Sequence, residues 1–368
     1  MKIIFAIKNL SSSVGGAERV FCEVTSNLVN RGHEIIILTF DPVGSYSFYH
    51  LDSKIRKIDL PIGDSSSPAN LIDSFSRIKA LREVIKEVKP SAVVGFMHSM
   101  YILIAFALNG ISIPVIASEH IVMDHYRRKP LQLALLFISS FLVEKYTVLS
   151  SSIKKSYPYC IKRKMTIIPN PIKNFEIKNS SHNTKERKII LNVGRLEHQK
   201  DHLTLIKAFS KIATSFPEWD LIIIGDGSLK NEIIKEIDLL NLKKRIFLKG
   251  FTKNLDIEYF QADVFVVSSL YESFGLVTAE AMSAGLPCIG FADCPGTNEL
   301  IINEKTGLLV KNLGDRSSSL AKGLKRLLED KAYRIKLGKE SKKFINTQFS
   351  KDEIINSWEK LLYNTVRN

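Results

Sequence analysis

Short apolar runs alternate along the chain with stretches whose apolar positions recur every three or four residues, the period-2-to-3.6 switching of strands and amphipathic helices in a parallel α/β sheet. In the first half the predicted strands are KIIFAI (2–7), EIIILTF (34–40), IRKIDL (55–60), AVVGFM (92–97), PVIASE (114–119), YTVLS (146–150) and MTIIP (165–169), with helical stretches such as 17–30 and 77–89 between them. The segment 170–188 (NPIKNFEIKNSSHNTKERK) is polar, charged and without apolar periodicity, and reads as a connection. The alternation then restarts with KIILNVG (188–194), DLIIIGDG (220–227), IFLKGF (246–251), VFVVSS (264–269), PCIGF (287–291) and GLLV (307–310). Two α/β units follow from this pattern: a first domain over 1–173, a linker over 174–188, a second domain over 189–345 and a charged C-terminal helix over 346–368 that packs back on the first domain.

The length of 368 residues suits two domains, and 45% hydrophobic with 24% charged residues is the composition of a globular protein with a core in each half. Four cysteines, Cys22, Cys160, Cys288 and Cys294, lack a C-x-x-C spacing and read as reduced thiols rather than a metal or disulfide framework. The opening MKIIFAIKNL moves straight into a strand and polar serines, with no secretory leader pattern, which predicts a cytoplasmic location.

Charge changes the picture. Residues 1–175 hold 22 basic against 13 acidic residues and so carry +9 of the net +14. Basic groups cluster at Arg127-Arg128-Lys129, Lys154-Lys155 and Lys162-Arg163-Lys164, beside the apolar run LQLALLFISSFLV (131–143). That run is too short to span a bilayer and reads either as a buried helix or as one lying on an anionic membrane surface. Nucleic acid is not expected as a partner, because no stacking module or groove-reading motif accompanies the charge.

Ligands of parallel α/β sheets bind beyond the carboxyl ends of the strands, where loops feed helix N-termini. Three loops there carry candidate chemistry. In NLSSSVGGAER (9–19), Gly15 and Gly16 allow close backbone approach at a helix start, although the pattern is not G-x-G-x-x-G and equally suits a structural turn. In VGRLEHQKD (193–201), Arg195 and Lys200 precede a helix that Asp201 can cap; the pair suits a diphosphate, or is simply solvated. In SSLYESFGLVTAEAMSAGLP (268–287), Glu272 lies in the loop and Glu280 within an apolar helix ending at Gly285 with Pro287 beyond. Free N–H groups of Gly275, Leu276 and Val277 would form a phosphate cradle. Glu280 is costly to bury without a partner, so it either grips a ligand or faces solvent.

VGRLEHQKD, IIIGDGSL, FLKGF and YESFGLVTAEAMSAGLPCIG, with GGAER, IIPNP and CPGTNELI in the same order, resemble glycosyltransferase family 4, and Glu272-x(7)-Glu280 matches that family's signature. The resemblance covers nearly the whole chain. It implies the GT-B architecture, two Rossmann-like parallel-sheet domains facing across a cleft, with the acceptor on the first and a nucleotide-diphosphate sugar on the second. It further implies that Arg195 and Lys200 neutralise the donor diphosphate, with the phosphate cradle at Phe274, Gly275, Leu276 and Val277. Glu280 would hold the ribose, Glu272 the transferred sugar, and Gly15 and Gly16 would close over the diphosphate. The base would lie near Gly250 and Phe251, and His120 at the end of PVIASEH resembles the family's sugar-adjacent histidine.

With these residues the expected reaction is retaining hexosyl or N-acetylhexosaminyl transfer from a UDP-sugar to a saccharide acceptor, as in family members that build O-antigen or capsule on polyprenyl diphosphate. No D-x-D triplet occurs, so no metal and no cofactor are expected. A sugar-nucleotide epimerase would instead act on the donor without acceptor, and a silent sugar-nucleotide-binding protein would have no need of the Arg195–Lys200 pair. His98 and Glu119, at further strand ends, stay open between structural and site roles.

Overall fold

The computed structural model describes residues 1–12, 15–65, 70–127, 129–175, 187–252 and 254–367. The chain divides into two compact units, one of Met1–Pro171 with Lys351–Asn368 and one of Ile172–Ser350. The first is a wholly parallel sheet of strands β1 (Lys2–Ala6), β2 (Glu34–Thr39), β3 (Arg56–Asp59), β4 (Ala92–Phe96), β5 (Val115–Glu119), β6 (Lys145–Val148) and β7 (Met165–Ile167). Their spatial order is β3-β2-β1-β4-β5-β6-β7. The second is a wholly parallel sheet of β8 (Lys188–Val193), β9 (Trp219–Ile224), β10 (Ile246–Gly250), β11 (Val264–Val266), β12 (Cys288–Phe291) and β13 (Gly307–Val310), in the order β10-β9-β8-β11-β12-β13.

The uninterrupted apolar runs are explained by this topology, because a parallel sheet is covered by helices on both faces. Ile3, Ile4, Phe5 and Ala6 of β1 are fully buried, as are Ala92, Val93, Val94 and Phe96 of β4 beside it. In the second unit Trp219, Leu221 and Ile223 of β9 join Leu205, Phe209, Leu320, Leu324 and Leu327 from the covering helices in one core. Strand order reverses direction between β1 and β4 in one sheet and between β8 and β11 in the other. Loops diverge there, and a crevice opens at the carboxyl edge.

The expected linker 174–188 falls largely on 176–186, outside the described residues, while Ile172 to Phe175 belong to the second unit. Helix Lys331–Gln348 runs through 345 without a break, so the second unit extends to Ser350. Helix Lys351–Arg367 then belongs to the first unit. It sets Trp358 against Phe5, with ring centroids 6.1 Å apart, and in near-parallel stacking 5.8 Å from Phe96. Glu359 of the same helix accepts from His33 (2.8 Å) and Arg31 (2.7 Å). The apolar run 131–143 forms helix Pro130–Ser139 and the turn after it. Leu136 is buried, but Leu131, Ile138 and Phe141 are exposed. Among the described residues no helix is long and apolar enough to cross a membrane. All four cysteines are free, Cys160 being exposed and the other three buried.

Candidate functional site

At the strand-order reversal of the second sheet, the turn after β8 and the loop after β11 are stitched together by short bonds. Leu270 N–H donates to the Gln199 carbonyl at 2.9 Å, and Gln199 Nε2 to the Tyr271 carbonyl at 2.8 Å. Ser268 Oγ donates to the Lys200 carbonyl at 2.7 Å. This brings Lys200 Nζ to 2.6 Å from Glu272 Oε1, which also accepts from Ser269 Oγ at 2.6 Å. Glu272 is only 7% exposed, and its Oε2 makes no hydrogen bond among the described residues, leaving lone pairs for a ligand hydroxyl. Its N–H donates to the Pro295 carbonyl at 2.9 Å. Gly296 follows with φ +80°, and a Cβ there would stand 2.4 Å from the Glu272 carbonyl oxygen, so only glycine lets the CPGTNE segment close this tightly on the loop.

Asp201 caps helix His202–Ser210 through the Thr204 N–H at 3.4 Å. Arg195, directly after Gly194, is exposed and forms no side-chain hydrogen bond or ion pair among the described residues. A cation that sequence reasoning does not single out lies beneath the loop: Arg316, at the start of helix Arg316–Glu329. It donates to the Ser268 and Ser269 carbonyls, pairs with Asp201 at 3.4 Å and Asp293 at 3.2 Å, and stacks 3.7 Å from the Phe291 ring centre.

Helix Leu276–Ser283 starts at Gly275, which holds φ +88° and whose carbonyl accepts from Thr278 and Ala279. The N–H groups of Gly275, Leu276 and Val277 find no acceptor among the described residues and mark the positive end of the helix. Phe274 is buried against Phe349. Glu280 is 2% exposed, so it does not face solvent, and its Oε2 accepts from the Tyr259 hydroxyl at 3.0 Å. Gly250 ends β10 with φ +68°, and Phe251 after it is exposed. The structure thus brings Arg195, Lys200, Glu272, the 275–277 amides and Glu280 to one edge of one sheet.

In the first unit, Gly15 and Gly16 begin helix Gly16–Asn30 after β1, with no side-chain cap at Gly15; Ser13 and Val14 of the same loop lie outside the described residues. His120 follows β5, buried, with Nε2 2.9 Å from Ser118 Oγ and its ring stacked on Phe96. Burial pulls its pKa down to about 4, so the imidazole is neutral near pH 7. Glu119 is wholly buried in a tyrosine cage, its carboxyl accepting from Tyr101 Oη (2.6 Å), Tyr126 Oη (2.7 Å) and the Ile121 N–H (2.9 Å). Burial raises its pKa against the lowering effect of those donors.

Two family models cover the chain almost end to end: "Glycosyltransferase Family 4" matches residues 14–173 and "Glycosyl transferases group 1" matches 173–344. The chain belongs to glycosyltransferase family 4. This transferase is 29% identical, over 98% of both chains, to the "GalNAc-alpha-(1->4)-GalNAc-alpha-(1->3)-diNAcBac-PP-undecaprenol alpha-1,4-N-acetyl-D-galactosaminyltransferase" of Campylobacter jejuni. It is 28% identical, over 91% of its own length and 90% of the relative's, to the "UDP-Gal:alpha-D-GlcNAc-diphosphoundecaprenol alpha-1,3-galactosyltransferase" of Escherichia coli. Its fold matches sucrose-phosphate synthase from Thermosynechococcus elongatus with a TM-score of 0.85 at 20% identity, over 99% of this chain and 98% of that one. The architecture is GT-B, with two parallel-sheet α/β domains.

Against that family the transferase shows its motifs at work as structure. The long-range partners Lys200 and Glu272 sit on separate quoted motifs, and CPGTNE supports Glu272 through Pro295 and Gly296. Arg316 and Tyr259 are the contributors that local pattern misses. Each acts through a partner more than 20 positions away, and neither has a distinctive neighbourhood in the chain.

Proposed function

We propose that this enzyme transfers a hexose or N-acetylhexosamine, with retention of configuration, from UDP-sugar to a polyprenyl-diphosphate-linked saccharide in bacterial surface polysaccharide synthesis. In this reading the second domain binds the donor and the first binds the acceptor. The observation that carries it is the buried Lys200–Glu272 pair beside the free amides at 275–277, a cation, a hydroxyl acceptor and an anion cradle at one strand-order reversal. The names of the Campylobacter and Escherichia relatives, both of which include an undecaprenol diphosphate acceptor, support the substrate class.

The donor diphosphate rests on the Gly275–Val277 amides, with Arg195 and Lys200 as counter-charges; Gly15 and Gly16 are further donor-binding candidates in this reading. Glu280 holds the ribose, exchanging or sharing its Tyr259 bond, and the base lies by Gly250 and Phe251. Glu272 holds hydroxyls of the transferred sugar. The bond from the anomeric carbon to the diphosphate oxygen breaks through an oxocarbenium-like state, and negative charge grows on the leaving group. Fixed cations and helix amides then interact more strongly than in the ground state, which is how they accelerate the step. The acceptor hydroxyl bonds to the same face of the anomeric carbon and passes its proton to the departing phosphate oxygen. His120, neutral and held by Ser118, serves as a hydrogen-bonding partner of the sugar rather than as a cation. Arg195 and Lys200 do the charge work in this scheme, so neither a metal nor another cofactor is invoked.

The exposed Leu131, Ile138 and Phe141, beside the basic segments around Lys155 and Arg163, support docking of the first domain on the anionic inner face of the cytoplasmic membrane, where such acceptors are presented. The test is a matrix of labelled donors (UDP-, GDP- and ADP-sugars) and acceptors (lipid-linked and free), with the anomeric configuration of the product read by NMR. An α-linked product on a lipid-diphosphate acceptor from an α-configured UDP-sugar is expected. Inversion of configuration, or release of free sugar with no acceptor preference, would refute the reading.

A further inference from the structure

The second sheet uses its strand-order reversal for the donor; the first sheet has a reversal of its own, between β1 and β4, whose chemistry the donor reading leaves unused. Helix His98–Ala107 begins directly after β4. Met97, the residue that turns the chain into it, holds φ +67° and ψ 150°, a conformation that a side-chain-bearing residue rarely adopts and that persists only where surroundings enforce it. Its own N–H is engaged by the Ser118 carbonyl at 3.0 Å, and its carbonyl takes the Met100 and Tyr101 amides. The N–H groups of His98 and Ser99 are left without an acceptor among the described residues, at the positive end of a ten-residue helix.

Side chains add to this. His98 and His125 stand with ring centres 5.7 Å apart, both packed on Tyr126, whose hydroxyl is fixed by Glu119. Among the described residues, His98 Nδ1 and His125 Nε2 are buried ring nitrogens with no hydrogen bond of good geometry, although the Gln132 side chain acts on His125, and each such atom carries a free-energy penalty unless something else supplies a partner. Lys129, four residues beyond His125, and Lys8, two residues after β1, are both close enough to push the His98 imidazole towards its neutral form; burial is the largest cause and His125 the next, and together they lower its pKa to about 4. Positive and proton-bearing groups therefore converge from three loops, those after β1, β4 and β5. No carboxylate figures among the groups acting on His98; Glu119 is turned inward to its tyrosines, and Asp64 acts on Lys8.

We infer that His98, His125, Lys129 and the amides at the start of helix His98–Ala107 form a phosphate-binding subsite, which takes the diphosphate of the acceptor. The inference rests on the proposed lipid-diphosphate acceptor. That molecule brings a second diphosphate besides the donor's, and the donor's own counter-charges, Arg195 and Lys200, are on the other sheet. Histidine and lysine at a helix start suit this task, since the several oxygens of a diphosphate accept from ring N–H groups and the free amides while its charge pairs with Lys129.

Histidine side-chain NMR on the full chain tests it, with UDP held at saturation to occupy the donor site and inorganic pyrophosphate and farnesyl diphosphate as titrants. His98→Ala and His125→Ala assign the resonances. The expected result is that the His98 and His125 ring signals move with both titrants and not with UDP alone, and that Lys129→Ala weakens the response about tenfold, the loss of one charge-assisted contact. In turnover, His125→Ala and Lys129→Ala should each lower the ratio of kcat/KM on a diphosphate-linked saccharide to kcat/KM on the same saccharide with a neutral aglycone by about tenfold. A change in folding would shift both substrates together and leave the ratio alone. Static ring signals, or an unchanged ratio, would overturn the subsite. Moving signals in an enzyme that uses no diphosphate-linked acceptor would instead sink the acceptor reading and leave an anion site whose ligand is free phosphate.

Discussion

Lys200 and Glu272 illustrate how much a single contact is asked to do. At 2.6 Å and largely buried, each is the other's condition for being charged away from water. Lys200→Ala is expected to lower kcat by about 10²-fold or more through lost stabilisation of the leaving diphosphate. It should also lower Tm, because Glu272 loses its cation. Glu272→Gln retains shape and should preserve Tm better than Lys200→Ala while still losing turnover; wild-type turnover in either variant would end the assigned roles. A second residue-scale expectation concerns acid. His202, His98 and His120 are all held near pKa 4 by burial, below the 6.5 of an exposed imidazole. Between about pH 6.5 and 4 the unfolded chain therefore binds more protons at these sites than the native one, and stability falls as pH falls through that window. Glu119, with its raised pKa, acts in the opposite sense. Among the described residues neither ring nitrogen of His202 has a hydrogen-bond partner, so His202→Asn isolates one contribution. Urea midpoints measured from pH 7 to 4.5 should decline less steeply in that variant than in the parent.

At the scale of elements, two attachments are set by packing. Helix Lys351–Arg367 is amphipathic, and its buried Ile355, Trp358 and Leu362 complete the core of the first unit over Phe5 and Phe96. Trp358→Ala should destabilise the first unit by about 3–5 kcal/mol, the usual range for deleting a buried aromatic ring. Denaturant unfolding followed by far-UV circular dichroism would measure it. Gly296→Ala should displace the Glu272 loop, since both its φ and the 2.4 Å approach exclude a methyl group. The expected signature is a rise in KM for donor together with a lower kcat. Most elements were legible in the chain: every strand run named from the pattern overlaps a strand of the structure, most plainly the central β1, β4, β8 and β9, where burial on both sheet faces leaves an apolar block, and less so the edge strands β3, β7 and β10, which keep exposed polar positions. The end of the second unit was less legible. Helical periodicity runs on across 331–366, and the break at Phe349–Ser350 shows only once helices Lys331–Gln348 and Lys351–Arg367 join different cores.

For the whole molecule, the excess of positive charge in residues 1–175 and the exposed apolar side chains of the 131–141 segment predict salt-sensitive association with anionic vesicles. Co-sedimentation with phosphatidylglycerol vesicles should fall steeply between 50 and 500 mM salt, on the order of the screening change expected for surface charges, and Phe141→Ser should weaken it further. Binding unaffected by salt and by that variant would argue against the docking surface.

The chain alone determined the two-sheet α/β plan, the family and the motif residues Arg195, Lys200, Glu272 and Glu280. These depend on local periodicity, helix punctuation and motif spacing, all of which are written along the polymer. Only tertiary structure decided that Lys200 and Glu272 touch, that Tyr259 holds Glu280, that Arg316 braces the loop from below, and that His98 and His125 meet over Tyr126. Such contacts join positions far apart in the chain through side-chain directions set by packing, and a one-dimensional pattern carries no record of which distant groups a folded core will bring into contact.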